Sequence, residues 1–169
     1  MSGRRPLPWS DSCFVCGEEN ALGLGVRFDV EGERVVLETV LDQRYEGYPG
    51  HVHGGVITAM LDETIGWACS ARAGRLFFTV ELSVRFKKPV PAGKPITVFG
   101  EATKTHAKLS RGRGWIEDAD GVELASAEGL FFPLAEEQHD QIVRHLKMDG
   151  RHASNEDICP GDATITESR

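Results

Sequence analysis

The chain has 169 residues, of which 40% are hydrophobic and 27% charged, a balance typical of one globular domain with its own core. Its formal net charge of -7 argues against a nucleic-acid partner. No apolar run approaches the length of a membrane span, and the basic N-terminus is not followed by an apolar stretch. We therefore expect no signal peptide, no membrane partner and a cytoplasmic location.

The first half of the chain predicts two strands and one long helix. Residues 1–24 are rich in turn residues and are expected to be irregular. The segments VRFDV (26–30) and RVVLETVL (34–41) read as strands separated by the turn EGE. After a loop over 42–55, an apolar helix is predicted from about Gly55 to Ala71, ending near Gly74.

The second half predicts four strands and a short helix. Residues 77–89 alternate, with Phe78, Val80, Leu82, Val84 and Phe86 on one face and Thr79, Glu81, Ser83, Arg85 and Lys87 on the other. Further strands are expected over 95–109, 110–118 and 121–134, and an amphipathic helix over 135–148. The polar segment 149–169 lacks periodicity and is predicted to be a mobile tail.

Strands joined by short turns pair antiparallel. One antiparallel sheet beside one long apolar helix indicates an α+β architecture in which the sheet wraps around the helix. We assign this domain to residues 25–134.

Two acidic residues, Asp62 and Glu63, interrupt the apolar helix. At 100° per residue, Ile57, Leu61, Ile65 and Ala68 form the stripe that should face the sheet. Asp62 lies instead on a face of small residues and has no basic partner one turn away. This predicts a functional carboxylate, although an acid packed against the backbone of another subunit would give the same pattern.

The helix is preceded by His53, Gly54 and Gly55. Free backbone N–H groups and the positive end of the helix dipole converge at a helix N-terminus, and two glycines allow a carbonyl or an anion to approach closely. Such a site can stabilise an oxyanion.

The motif CFVC supplies Cys13 and Cys16, but a zinc site needs two more ligands and no second CxxC follows. We expect a turn with two small buried side chains, no metal site and no cofactor. A metal or redox role is the alternative.

The segments PGHVHGGVITAMLDETIGWA and TVELSVRFKKPVP resemble those of the hotdog-fold acyl-CoA thioesterases, in the group that includes phenylacetyl-CoA thioesterase and the mammalian thioesterase superfamily proteins. The resemblance covers about residues 12–133, and CFVCGEENALGLGVRF is similar to the opening of many bacterial members. It implies a hotdog fold and hydrolysis of an acyl-CoA substrate.

By position, the resemblance makes Asp62 the catalytic carboxylate, acting either as nucleophile or as general base. It makes His53 the motif histidine, Gly54 the N–H donor to the thioester carbonyl and Thr79 the residue that positions water or the carboxylate. Some members carry Asn six residues before the motif histidine, where this chain has Gly47, so that water-positioning role is unsupported here.

Gly54 and Asp62 are eight residues apart on one helix, or about 12 Å, and cannot both reach one thioester. A site that uses both must lie across a subunit interface. The resemblance likewise implies a homodimer or a dimer of dimers (a homotetramer) with composite sites.

Substrate-binding candidates are Gly55, Glu63, Arg85, Lys87 and Lys88. Arg85 and Lys87 are expected on the same strand face as Thr79, at a separation that suits the phosphates of coenzyme A. Solubilising surface charges explain the basic residues equally well. Other candidates are the pair Arg111 and Arg113 for phosphate, and Tyr45, Tyr48, Met60, Trp67 and Phe77 for the acyl group.

Three other functions compete with thioester hydrolysis. A hotdog dehydratase or hydratase also sets a histidine opposite a helix carboxylate, but the spacing from His53 to Asp62 and the strand TVELSVRFKKP favour the thioesterase. A non-catalytic acyl-CoA sensor usually carries an added domain. A purely structural role does not explain why Asp62 has no basic partner.

Overall fold

The computed structural model describes residues 3–106 and 108–158. Its strands are β1 (Arg5–Pro6), β2 (Asp29–Glu31), β3 (Arg34–Val40), β4 (Glu46–Tyr48), β5 (His51–Val52), β6 (Phe77–Phe86), β7 (Pro95–His106), β8 (Leu109–Asp118), β9 (Glu123–Pro133), β10 (Lys147–Met148) and β11 (Arg151–His152). Its helices are α1 (Gly54–Ala73), α2 (Glu136–Val143) and α3 (Asn155–Ile158), and a 3-10 turn spans Gln43–Tyr45.

Seven strands form one antiparallel sheet in the order β1-β2-β3-β7-β8-β9-β6. Helix α1 packs against β3, β6, β7, β8 and β9, so the sheet curves around one long central helix. This confirms the architecture predicted from the order of elements. Within the described ranges, no helix is long and apolar enough to cross a membrane.

Helix α1 begins and ends where its sequence predicts. The Nδ1 atom of His53 accepts a hydrogen bond from the Gly55 N–H at 2.9 Å, which caps the N-terminus. Gly74 ends the helix in the left-handed conformation, with φ of 64°, where glycine is favoured. The predicted stripe is buried against the sheet, as shown by the low exposure of Ile57, Leu61, Ile65 and Ala68.

Strand glycines let the helix lie directly on the sheet. A Cβ atom at Gly100 would stand 2.6 Å from the carbonyl oxygen of Thr64, and one at Gly112 would stand 2.4 Å from Cγ2 of Ile65. Any larger residue at either position would push the helix away from the sheet. This close packing fixes the position of the helix, and therefore of Asp62.

The N-terminal segment is irregular, as predicted, apart from the two-residue strand β1. It is nevertheless anchored, because Leu7, Val15 and Cys16 are buried in the common core. The turn that carries CFVC therefore lies against the domain near α1 and is held in place by apolar packing.

The chain beyond Met148 has more structure than its polar sequence predicts. Strand β11 pairs with β10, and α3 buries Ile158. The Asp157 carboxylate accepts hydrogen bonds from the Arg151 guanidinium and from the Ser154 N–H, so local partners satisfy this polar segment. The prediction of an unstructured tail is wrong for 149–158, and residues 159–169 lie outside the described part of the chain.

Candidate active site

Asp62 lies on α1 opposite the first residues of β6 and is half-buried. Its Oδ1 atom accepts a hydrogen bond from the Thr79 hydroxyl at 2.7 Å, and within the described residues it forms no ion pair. Burial raises the pKa of the Asp62 carboxyl above its ordinary value, and the Thr79 hydrogen bond opposes part of that rise. The result is a carboxylate that accepts a proton more readily than an exposed aspartate does.

A β-bulge at Val80 places Thr79 on the helix side of the sheet. Thr79 pairs with Phe131 and Glu81 with Leu130, so Val80 has no partner in the ladder. Phe131 is fully buried, and a directly paired residue shares its face. Thr79 therefore points toward α1. The prediction that Thr79 shares a face with Arg85 and Lys87 is wrong, because a bulge reverses the alternation on one side of it.

The backbone N–H of Gly54 is free to bind a ligand at the helix N-terminus. The next two N–H groups are taken, since Gly55 donates to the His53 imidazole and Val56 donates to the His53 carbonyl. Within the described residues, Gly54 N–H has no acceptor. His53 is exposed and serves as the helix cap.

The loop residue Gly47 packs against His53. A Cβ atom at Gly47 would stand 2.9 Å from Cδ2 of His53, while the His53 N–H donates to the Tyr45 carbonyl at 2.8 Å. A side chain at this position would displace the imidazole ring. Glycine at this position therefore allows the loop to pack closely against the His53 ring.

Gly54 is the first residue of α1, and Asp62 lies two turns further along the same helix. Their separation along α1 is about 12 Å, and the Phe86 ring at the far end of β6 lies against Gly54. One strand thus carries Thr79 beside the carboxylate and Phe86 beside the free N–H. The protomer holds both halves of the expected site but does not bring them together.

A cavity of about 270 Å³ adjoins Asp62. Of the five apolar candidates, Trp67 and Phe77 line it. Met60 is fully buried in the core and Tyr48 is 80% exposed, and the hydroxyl of Tyr45 donates to the Gly23 carbonyl. Other lining residues are mostly small or apolar: Gly66, Ser70, Leu76, Phe78, Leu134, Ile142 and Leu146.

The basic candidates lie on the outer face of the sheet, away from α1. Arg85 pairs with Ser126 in the ladder and lines an outer groove with Lys87 and Arg113. Lys87 forms an ion pair with Glu123 at 2.6 Å. Within one protomer these cations are therefore separated from Asp62 by the sheet, and Lys88 is exposed beside them.

Glu63 faces Cys13, a contact that the sequence did not predict. The Cys13 Sγ atom lies 3.1 Å from Oε2 of Glu63, and both residues line the cavity beside Asp62. The two positions are fifty residues apart, and helix periodicity gave only the direction of Glu63. Its contact with the N-terminal turn depends on how that turn packs.

Comparison with known proteins adds to this geometry. Residues 49–125 match the family model described as "Thioesterase superfamily". The chain is 31% identical over 121 residues to the acyl-coenzyme A thioesterase THEM4 of Mus musculus, a match that covers 69% of this chain and 52% of that protein. The chain thus spans about half the length of this curated relative.

Solved structures give the same picture. The crystal structure of a thioesterase superfamily protein has a TM-score of 0.68 and 36% identity, covering 72% of this chain and 60% of that one. A Streptococcus mutans protein bound to acetyl CoA has a TM-score of 0.57 and 20% identity, covering 61% and 82%, a likeness of fold alone. The hotdog fold predicted from the sequence is confirmed by these neighbours.

Proposed function

Because the chain belongs to the thioesterase superfamily, we propose that it hydrolyses an acyl-CoA thioester to the free acid and coenzyme A. The observation that carries the proposal is the half-buried Asp62 carboxylate, which is hydrogen-bonded to Thr79 and adjoins an apolar cavity. A similarity to an acyl-coenzyme A thioesterase and a structural neighbour bound to acetyl CoA support acyl-CoA as the substrate class.

The reaction consumes one water molecule. Asp62 either removes a proton from that water as it attacks the thioester carbonyl, or attacks the carbonyl itself and forms an anhydride that water then opens. In both routes the carbonyl oxygen becomes negative and accepts a hydrogen bond from Gly54 N–H. The C–S bond then breaks, and the coenzyme A thiolate takes up a proton. Both routes require the ionised form of Asp62.

The two halves of the site meet when two chains pair through β6. One side of β6 pairs with β9, and its other side has no partner strand among the described residues. Val80 and Phe86 are 48% and 56% exposed, and an exposed apolar edge is a template for strand pairing.

Antiparallel pairing about a two-fold axis near residues 82–83 sets Thr79 opposite the partner's Phe86. Since Thr79 contacts Asp62 and Phe86 contacts Gly54, each Asp62 then lies near the partner's Gly54. We propose a homodimer with two composite sites on this basis. Pairing of dimers into a tetramer and a cytoplasmic location stay predictions.

The basic residues suit the coenzyme A phosphates only if the nucleotide lies outside the sheet. Arg85, Lys87 and Lys88 of one subunit then bind the phosphates at the outer groove or around the sheet edge. The thioester of the same substrate molecule lies at Asp62 of the other subunit. Gly55 remains a candidate for contact with the substrate at the helix N-terminus. Its N–H already donates to the His53 imidazole, so that contact would not use the N–H.

The proposal is tested by coenzyme A release from short, long and aromatic acyl-CoAs. The wild type is expected to hydrolyse at least one of them, and Asp62→Asn to lose about a hundredfold or more in kcat. Asp120→Asn, which removes an exposed carboxylate in the turn between β8 and β9, is the matched control and should keep full activity. If the protein releases coenzyme A from none of these thioesters but adds water to the double bond of an enoyl-CoA, it is a hydratase.

A further inference from the structure

The side chains of Cys13, Cys16 and Glu63 form a compact cluster outside the proposed reaction. One donor atom from each residue lies within 4.8 Å of the other two. Cys16 is buried, and the other two are partly buried. Two thiols and a carboxylate are a ligand set that borderline-soft divalent cations prefer.

The turn around Cys13 is arranged to hold a negatively charged sulfur. The backbone N–H groups of Val15 and Cys16 both point at Cys13 Sγ, at 3.3 and 3.4 Å. The Cys16 carbonyl accepts a hydrogen bond from the Arg27 guanidinium, which fixes the turn from the other side.

The carboxylate of Glu63 lacks a positive partner. Within the described residues it forms no ion pair with Lys or Arg; it accepts a hydrogen bond from the Cys13 thiol at 3.1 Å and also interacts with the side chains of Cys16 and Trp67. A thiolate and a carboxylate in contact repel each other unless a proton or a cation lies between them.

We propose that Cys13, Cys16 and Glu63 bind one divalent cation of the zinc class. Tetrahedral zinc at about 2.3 Å from sulfur and about 2.1 Å from oxygen holds its donors about 3.6–3.8 Å apart. The observed spacing of at most 4.8 Å needs only small side-chain rotations to reach this. All three proposed ligands line the cavity that Asp62 also lines.

A cation explains the cluster better than a disulfide does. A bond between Cys13 and Cys16 would satisfy both sulfurs but would leave Glu63 as a partly buried, unpaired acid. A cation pairs with all three groups at once. It also joins the N-terminal turn to α1 at the residue next to Asp62, so it would stabilise the wall of the cavity.

The test is a cobalt titration of the full chain after chelation and reduction with a phosphine. Co²⁺ is expected to bind at one ion per chain and to give the near-ultraviolet charge-transfer band of thiolate ligands, which Zn²⁺ should abolish by displacement. Cys13→Ser and Cys16→Ser should lose the band, and Glu63→Gln should keep part of it while weakening binding at least about tenfold.

The matched control is the double variant Cys69→Ser/Cys159→Ser, which removes the two cysteines that the proposal does not use and should bind Co²⁺ as the wild type does. A measurement without variants guards against misfolding: Zn²⁺ should protect Cys13 of the wild type from alkylation, as read by peptide mass. An undiminished band in Cys16→Ser, absence of stoichiometric binding, or a Cys13–Cys16 disulfide in protein isolated without oxidant would each overturn the site.

Discussion

Replacing Thr79 by Val tests the role of the hydrogen bond that the Thr79 hydroxyl donates to the proposed catalytic carboxylate. Val has nearly the shape of Thr but cannot donate to Asp62, where the present hydrogen bond measures 2.7 Å. The hydroxyl favours the ionised carboxylate and opposes the rise in pKa that burial causes. Its removal therefore raises the pKa of Asp62 further.

The size of the effect follows from the strength of such bonds. A hydrogen bond to a charged group contributes about 1.5–3 kcal/mol, and the partial exposure of Asp62 places this one near the lower end. A loss of about 1.4 kcal/mol corresponds to about one pKa unit. Because activity needs ionised Asp62, it falls as the pH drops through the Asp62 pKa, and the acid limb of kcat/KM should move up by about one pH unit.

The assay is the pH dependence of kcat/KM, followed by loss of the thioester ultraviolet absorbance, which works at acid pH. Thr79→Ser keeps the hydroxyl and should keep the acid limb of the wild type. If Thr79→Val instead lowers kcat/KM by the same factor at every pH, Thr79 does not act by stabilising the Asp62 charge, and the argument from the hydrogen bond is refuted.

Two further predictions concern assembly and packing. Val80→Lys places a charge at the free edge of β6 and should give an inactive monomer in sedimentation. The control Leu22→Lys changes a residue elsewhere that is 81% exposed and should stay dimeric. A dimeric, active Val80→Lys protein would refute pairing through β6. Gly112→Ala forces a Cβ against Ile65 and should cost about 1–3 kcal/mol of unfolding free energy, measured by urea denaturation. Gly3→Ala, which meets no atom within 4 Å, is its control and should be neutral.

The sequence predicted the framework because that framework depends on local patterns. Apolar periodicity and a terminal glycine placed the helix at about Gly55–Ala71, and the structure has Gly54–Ala73. Alternation and short turns predicted antiparallel neighbours. This is correct for β7, β8 and β9, but β6 pairs with β9 and not with β7, the next strand in the chain. The sheet wrapped around α1 followed from having one apolar helix for one sheet.

The details of the site depended on features that local patterns do not encode. The sequence FFTVELSVRF alternates without interruption, so nothing in it announced the bulge at Val80 that turns Thr79 toward Asp62. The bulge is visible only in the register against β9. Likewise, the contact between Glu63 and Cys13 arises from packing of the N-terminal turn on the helix, across fifty residues of sequence.

Gly47 is a third case, in which the sequence indicated only a missing group and the structure shows a packing role for the glycine. The missing Asn leaves one expected water-positioning group unsupported. Glycine at this position allows the His53 ring to approach the loop closely, and that ring caps α1. The capping function is therefore kept by packing, and the oxyanion donor at Gly54 stays in place.

The central claim, that Asp62 of one subunit acts with Gly54 N–H of its partner, is tested most directly by mixing two inactive variants. Asp62→Asn chains lack the carboxylate, and Gly54→Pro chains lack the N–H while keeping a residue tolerated at the first helical position. After random exchange, half of the dimers are mixed and each holds one intact site of two.

The account predicts that the exchanged mixture recovers roughly a quarter of the wild-type coenzyme A release, with heterodimers verified by two different affinity tags. If verified heterodimers release coenzyme A no faster than either parent, while both parents remain folded and dimeric, the two groups do not act on one thioester and the composite site is contradicted.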